Sequence, residues 1–239
     1  HSPVSPVPMK HLQQLEELLG FTFKEPKLAQ QAFVHRSYLN QHPSFPIGHN
    51  ERLEFLGDAV LELVVTEYLY KQFPQSPEGE LTNWRASLVN AKILSSIAQG
   101  LGLEQYLMLS RGESKDRNSR ARLYILANVI EAMIGAVYLD QGFSVCRRII
   151  EEHVLNELPN ILETKSYLDP KSRFQERAQE KLGITPRYQV LEESGPDHNK
   201  HFRVGVYLDK EMVAAGEGMS KQEAQIKAAE AGLQEKGWS

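Results

Sequence analysis

Three carboxylates, Glu51, Glu54 and Asp58, stand at i, i+3 and i+7 in the segment NERLEFLGDAV. At about 100° per residue a helix gathers them within about 60° of arc. A carboxylate beside Phe55 and Leu56 is costly unless it is solvated, paired or bound to a cation. One reading is a solvated stripe whose acids favour the helix N-terminus. The other is a metal site. Asn128 and Glu131 repeat the i, i+3 spacing inside the apolar run ILANVIEAMIGAVYLD. They form either a hydrogen-bonded core pair or a second wall that meets the first helix and completes an oxygen-ligand cage. Such a cage suits a hard cation, Mg²⁺ or Mn²⁺. Glu78, in the turn PEGE, is a further acid within reach of such a site. One cysteine and scattered histidines offer no tetrahedral zinc set.

Residues 9–163 must supply the elements that position these acids, and their apolar spacing is helical throughout. Leu12, Leu15, Leu18 and Leu19 predict a helix ending at Gly20. Further helices are expected over residues 26–39, 50–73, 81–100, 123–139 and 143–158. No two-residue alternation occurs, so this half is expected to be all-α. Residues 1–8, with three prolines, read as a disordered tail. Residues 164–169 read as a linker and 170–239 as a second domain. There, one helix begins near Asp169 and Pro170. Three short strands follow over 187–192, 201–208 and 211–216, and Ser220 caps a last helix to about Lys236. The expected fold class is an all-α domain followed by a small α+β domain of order α-β-β-β-α.

A net charge of -4 over 239 residues argues against indiscriminate electrostatic binding to nucleic acid. The single Cys146 excludes an internal disulfide framework and fits a reducing, cytoplasmic setting. No stretch of about 18 apolar residues stands out, so no membrane span is expected. The cations Arg111, Lys115, Arg117, Arg120 and Arg122 cluster just before Asn128. They are either a solvated loop or a set of phosphate contacts. His35 and Arg36 fit a hydrogen-bonded structural turn, with a phosphate contact by Arg36 as the alternative.

HNERLEFLGDAVLELVV, residues 49–65, resembles the signature helix of the ribonuclease III endonuclease domain. HRSYLNQ, EGELTNWRASLVN and ILANVIEAMIGAVYLDQG follow in that family's order and spacing. FQERAQE, GPDH and GEGMSKQEAQIKAA resemble the three contact regions of a double-stranded RNA-binding domain. The whole is similar to a bacterial ribonuclease III. The resemblance implies Glu54, Asp58 and Glu131 as catalytic metal ligands, with Mg²⁺ as the cation and Mn²⁺ able to substitute. Asn128 stands where the family usually has aspartate. A neutral amide there implies weaker metal binding, and the alternative function is a weakened or inactive RNA-binding protein. Glu51 and Glu78 match additional acids of the catalytic valley, and Phe55 matches a position that packs across a homodimer interface. Gln175 and Glu176 are implied at one minor groove, His198 at the next, and Ser220 and Lys221 at the intervening phosphates. The implied reaction is hydrolysis of double-stranded RNA to 5′-phosphate and 3′-hydroxyl ends. Ser37 and Cys146 need no catalytic role in it.

Overall fold

The computed structural model describes residues 11–239, and the expected tail at 1–8 lies outside the described residues. The chain divides into two compact units between Asn160 and Ile161. Each is considered on its own.

The first unit is helical. α1 (Leu12–Leu19) stops at Gly20 as its leucine spacing predicts. The single helix expected over 26–39 is two, α2 (Pro26–Ala32) and α3 (Arg36–Gln41). Between them the backbone at Val34 forms a parallel bridge to Met108. His35 N–H donates to the Met108 carbonyl at 3.0 Å. Its ring Nδ1 caps α3 by accepting from Ser37 N–H at 3.2 Å. A long-range tertiary pairing thus overrides a local helical pattern, and His35 and Ser37 are placed by structural hydrogen bonds.

α4 (Glu51–Gln72) carries the first acid set. Its start is fixed by Asn50, 5% exposed, whose amide donates to the Ala32 carbonyl at 2.9 Å. The helix expected over 81–100 is likewise two, α5 (Glu78–Leu88) and α6 (Ala91–Gly100). Asn90 separates them in extended conformation and caps α6 by accepting from Ile93 N–H at 3.0 Å. Asparagine competes for backbone groups and so favours such a cap over a helix interior. A short α7 (Arg111–Lys115), missing from the sequence expectation, precedes α8 (Arg120–Gln141).

α8 is the core of this unit. It packs against α2, α4, α6 and α9 (Phe143–His153). By length and composition alone α8 could cross a membrane, the one such helix among the described residues. However, 67% of its apolar stretch is buried by the surrounding helices, as in the central helix of a bundle. α10 (Leu158–Thr164) follows and runs across the division between the units.

The second unit has the expected α-β-β-β-α order. α11 (Pro170–Leu182) begins with Asp169 accepting from Ser172 N–H at 3.0 Å and with Pro170 in the first turn. β1 (Arg187–Ser194), β2 (His201–Leu208) and β3 (Glu211–Gly218) form an antiparallel sheet in that order. α12 (Lys221–Lys236) packs on β2, β3 and α11. The core is Phe174, Ala178, Val206, Leu208, Ala228, Ala229 and Leu233, all buried. Gly216 lets α12 close on the sheet: a Cβ there would lie 2.2 Å from the Ala228 nitrogen.

Candidate active site and nucleic-acid interface

The two acid-bearing helices cross where each has a glycine. A Cβ on Gly57 of α4 would lie 1.6 Å from the Glu131 carbonyl oxygen. A Cβ on Gly135 of α8 would lie 2.2 Å from the Leu53 carbonyl oxygen. Backbone therefore meets backbone, and the side chains one residue beyond Gly57 and four residues before Gly135 open on the same side. Glu51, Glu54, Phe55, Asp58, Asn128 and Glu131 line one open pocket of about 420 Å³. Two sequence segments 70 residues apart are thus brought to a single site. Glu78 is not among its lining residues. It borders a separate depression of about 610 Å³ with Thr66, Tyr70 and Arg85, and accepts the Thr82 hydroxyl at 2.8 Å.

The pocket has no lysine, arginine or histidine in its lining. Burial is the main influence on Glu131, with Asp58, Glu54 and Glu62 adding repulsion, and its carboxyl is pushed up to about 8. Burial, then Glu51 and Asp58, raises Glu54 as well. Glu51 at the mouth is the outlier, facing Arg36 at 3.5 Å and His49 at 3.8 Å in exposed pairs that contribute little to stability. The inner acids are therefore mutually repelling and short of positive charge. That is the condition a divalent cation relieves. Among the described residues, no group of three or more histidine, cysteine, aspartate or glutamate side chains is placed to hold a metal ion by itself. Magnesium does not require one, because it keeps several waters and takes one or two carboxylates together with substrate phosphate. Three carboxylates and an amide oxygen around an open pocket fit that ion.

Beyond the pocket, the basic stretch divides. Arg111, Lys115, Arg117 and Arg120 are exposed. Arg122 is only 4% exposed; it pairs with Glu104 and donates to the Glu113 carbonyl at 2.6 Å. It holds the 104–113 segment to α8 and is no phosphate ligand. The sequence could not show this, because the partner acid lies 18 residues away.

In the second unit, Gln175 and Glu176 are exposed on α11, and His198 is exposed in a one-turn 3₁₀ helix over Asp197–Asn199. Ser220 caps α12 by accepting from Glu223 N–H at 3.1 Å. Glu223 in turn accepts from Met219 N–H at 2.8 Å, one residue before the cap, so the start of α12 is tied from both sides. Lys221 is thereby held at the helix N-terminus, its ammonium 5.9 Å from the Phe202 ring centre. The Gln225 side chain accepts from the Lys171 ammonium at 2.7 Å and so ties α12 to α11.

The His198 loop depends on Gly195. Its φ of +86° is left-handed, and a Cβ would lie 2.4 Å from the Asn199 carbonyl oxygen. Gly195→Ala should leave thermal unfolding of the first unit unchanged and weaken duplex RNA binding about tenfold, measured by fluorescence anisotropy.

A family described as Ribonuclease-III-like matches residues 25–158, and the double-stranded RNA binding motif matches 170–236. The chain belongs to the ribonuclease III family. Ribonuclease 3 of Dehalococcoides mccartyi strain CBDB1 is 42% identical over 229 residues, which is 95% of each chain. The crystal structure of the nuclease domain of Campylobacter jejuni ribonuclease III is 38% identical with a TM-score of 0.56, covering 63% of this chain and 98% of that one. A second structure of that nuclease domain, also 38% identical at TM-score 0.56, spans 62% of this chain and 99% of that chain. It is described as showing structural flexibility in a region involved in dimer formation. The family match falls on the two units separately, one on the acid pocket and one on the α-β-β-β-α fold.

Proposed function

We propose that this ribonuclease III-family chain is a metal-dependent endonuclease that hydrolyses double-stranded RNA, leaving 5′-phosphate and 3′-hydroxyl ends. As a family member it is an endoribonuclease. The observation that carries the metal dependence is the pocket itself: four carboxylates on two crossing helices, of which only Glu51 faces a basic side chain. Glu54, Asp58 and Glu131 are assigned as the catalytic ligands of Mg²⁺, with Mn²⁺ able to take its place, and Asn128 offers its amide oxygen beside them. When bound, the cation supplies Lewis-acid activation of water and offsets charge on the phosphoryl oxygens. The protein's part is to hold the oxygens on rigid helices, to keep the pocket free of competing cations, and to release the Glu131 proton as positive charge arrives. No covalent nucleophile is involved. Cys146 is buried with its thiol pushed up to about 12, chiefly by burial, which suits a structural side chain.

Duplex RNA is the proposed substrate and partner. Gln175 and Glu176 meet one minor groove, His198 the next, and Ser220 with Lys221 the phosphates between. A homodimer is proposed as the active form. Phe55, at the rim of the pocket, is 84% exposed, a large apolar surface left in water that packing against a second copy would cover. Glu51 and Glu78 are assigned as additional acids of the valley that the dimer forms. A binding-only role finds no support in relatives that are named as ribonucleases and match over nearly the full chain.

Asn128 provides the test. A neutral oxygen replaces a charge at the cation site, so Asn128→Asp should tighten divalent-ion binding about tenfold, read as the Mg²⁺ concentration giving half-maximal cleavage of a long RNA duplex. Chelator should abolish cleavage by the parent and added Mg²⁺ should restore it. Cleavage that persists in excess chelator contradicts metal dependence.

A further inference from the structure

The acid face of α4 does not end at Asp58. Glu62 follows four residues later, so Glu51, Glu54, Asp58 and Glu62 fall within about 80° of arc on one side of the helix. A glutamate one turn, about 6 Å, beyond Asp58 has the reach to join the acid pocket. After burial, its charge is one of three that raise Glu131, with Asp58 and Glu54. Yet Glu62 is absent from the pocket lining. Its carboxylate is held instead by Arg85 of α5, whose Nε stands 3.2 Å from Oε2. The same guanidinium donates from Nη1 to the Thr66 hydroxyl at 3.0 Å. Glu62 and Thr66 are themselves four residues apart, so the rigid fork of one arginine grips two successive turns of α4. Thr66 and Arg85 border the separate depression that contains Glu78.

The number of carboxylates matters to the ion. Magnesium keeps several waters and needs open positions for substrate phosphate. Glu54, Asp58 and Glu131 already offer carboxylates, with the Asn128 amide beside them. A further carboxylate would bind the ion more tightly and occupy a position that water or phosphate requires. Such binding favours the ground state over the transition state and slows the reaction.

We propose that Arg85 is a positioning residue of the nuclease centre, holding Glu62 out of the cation site. The proposal rests on the reading of the acid pocket as a metal-dependent nuclease centre.

The test uses the full chain and two readouts. One is Mn²⁺ binding without RNA, followed by the electron paramagnetic resonance signal of the free ion. The other is the single-turnover rate of cleavage of a long perfect RNA duplex with Mg²⁺. The Arg85–Glu62 pair is partly exposed and contributes little to stability, so the variants should fold, as circular dichroism and denaturation midpoints check. Arg85→Gln should bind Mn²⁺ about threefold more tightly and cleave about tenfold more slowly. Loosened packing at α5 would instead weaken both. Arg85→Met keeps the aliphatic stem, should do the same, and serves if the glutamine variant does not fold. Glu62→Gln should stay within about twofold of the parent in both readouts, and adding it to Arg85→Gln should return both to that range. Arg85→Gln with parental or weaker ion binding, or with parental cleavage, overturns the proposal. So does a tight-binding, slow Arg85→Gln that Glu62→Gln fails to rescue. A single Glu62→Gln variant that cleaves about tenfold more slowly makes Glu62 a ligand in its own right and overturns it as well. A parent that neither binds Mn²⁺ nor cleaves contradicts the metal-dependent reading itself, an outcome distinct from all of these.

Discussion

Glu131→Gln should lower cleavage of duplex RNA by about a thousandfold or more while duplex affinity stays within about twofold of the parent. The carboxylate it removes is the innermost charged donor of the pocket, whereas the RNA-binding elements lie in the other unit. The same variant should carry a stability signature. In the folded, metal-free chain the Glu131 carboxyl is raised from 4.5 to about 8, first by burial and then by Asp58, Glu54 and Glu62. Between those values the folded state holds a proton that the unfolded state has lost, so raising the pH favours unfolding. The parent's penalty is absent below about pH 4.5, grows through the interval and is complete above about pH 8. Glutamine cannot ionise and escapes it. Metal-free Glu131→Gln should therefore match the parent near pH 4.5 and exceed it at pH 8 to 9. Discounted for solvent screening at an open pocket, the gain is on the order of 1–2 kcal/mol. Mg²⁺ should narrow the difference by stabilising the parent. Chemical denaturation at the two pH values, with and without the ion, reads all of this. Parallel pH profiles for parent and variant would show that Glu131 ionises freely.

The second large effect belongs to a residue with no chemistry of its own. Gly57→Ala should destabilise the first unit by about 3–5 kcal/mol, measured by the denaturation midpoint. In an isolated helix the substitution is favourable by up to about 1 kcal/mol, so the sign itself is diagnostic. The added Cβ would stand 1.6 Å from the Glu131 carbonyl oxygen, and backbone cannot yield as a flexible side chain can. The helices must move apart, which takes Glu54 and Asp58 away from Glu131. Whatever variant remains folded should cleave at least about a hundredfold more slowly. Gly135→Ala should behave alike, because its Cβ would meet the Leu53 carbonyl from the other side. A variant as stable as the parent would contradict the close crossing.

The sequence made the chemistry visible before the architecture. Glu51, Glu54 and Asp58 declare a shared face by helical spacing alone, and Asn128 with Glu131 stand out as polar residues in an apolar run. The fold brings both faces to the lining of one pocket. What brings them together was not legible. A glycine within a helix reads as a weak helix former, and only the opposing backbone shows why Gly57 and Gly135 are needed. The breaks at Val34 and Asn90 were missed for related reasons. One depends on pairing with Met108, distant in sequence, and the other on a single capping side chain within a continuous apolar pattern. Arg122 shows the limit of reading charge by neighbourhood, because it is buried against Glu104 while the cations around it face solvent. In the second unit, strand alternation and the turn residues were sufficient for element order.

The most direct test of the acid pocket as a nuclease centre is a paired measurement on the parent and Asp58→Asn, at equal protein concentration with Mg²⁺ and a long perfect RNA duplex. Binding and cleavage are followed in the same samples. The parent should bind and cut the duplex, leaving 5′-phosphate ends, and Asp58→Asn should bind with parental affinity and leave the RNA intact. An Asp58→Asn protein that cleaves at the parental rate would place the chemistry elsewhere in the chain.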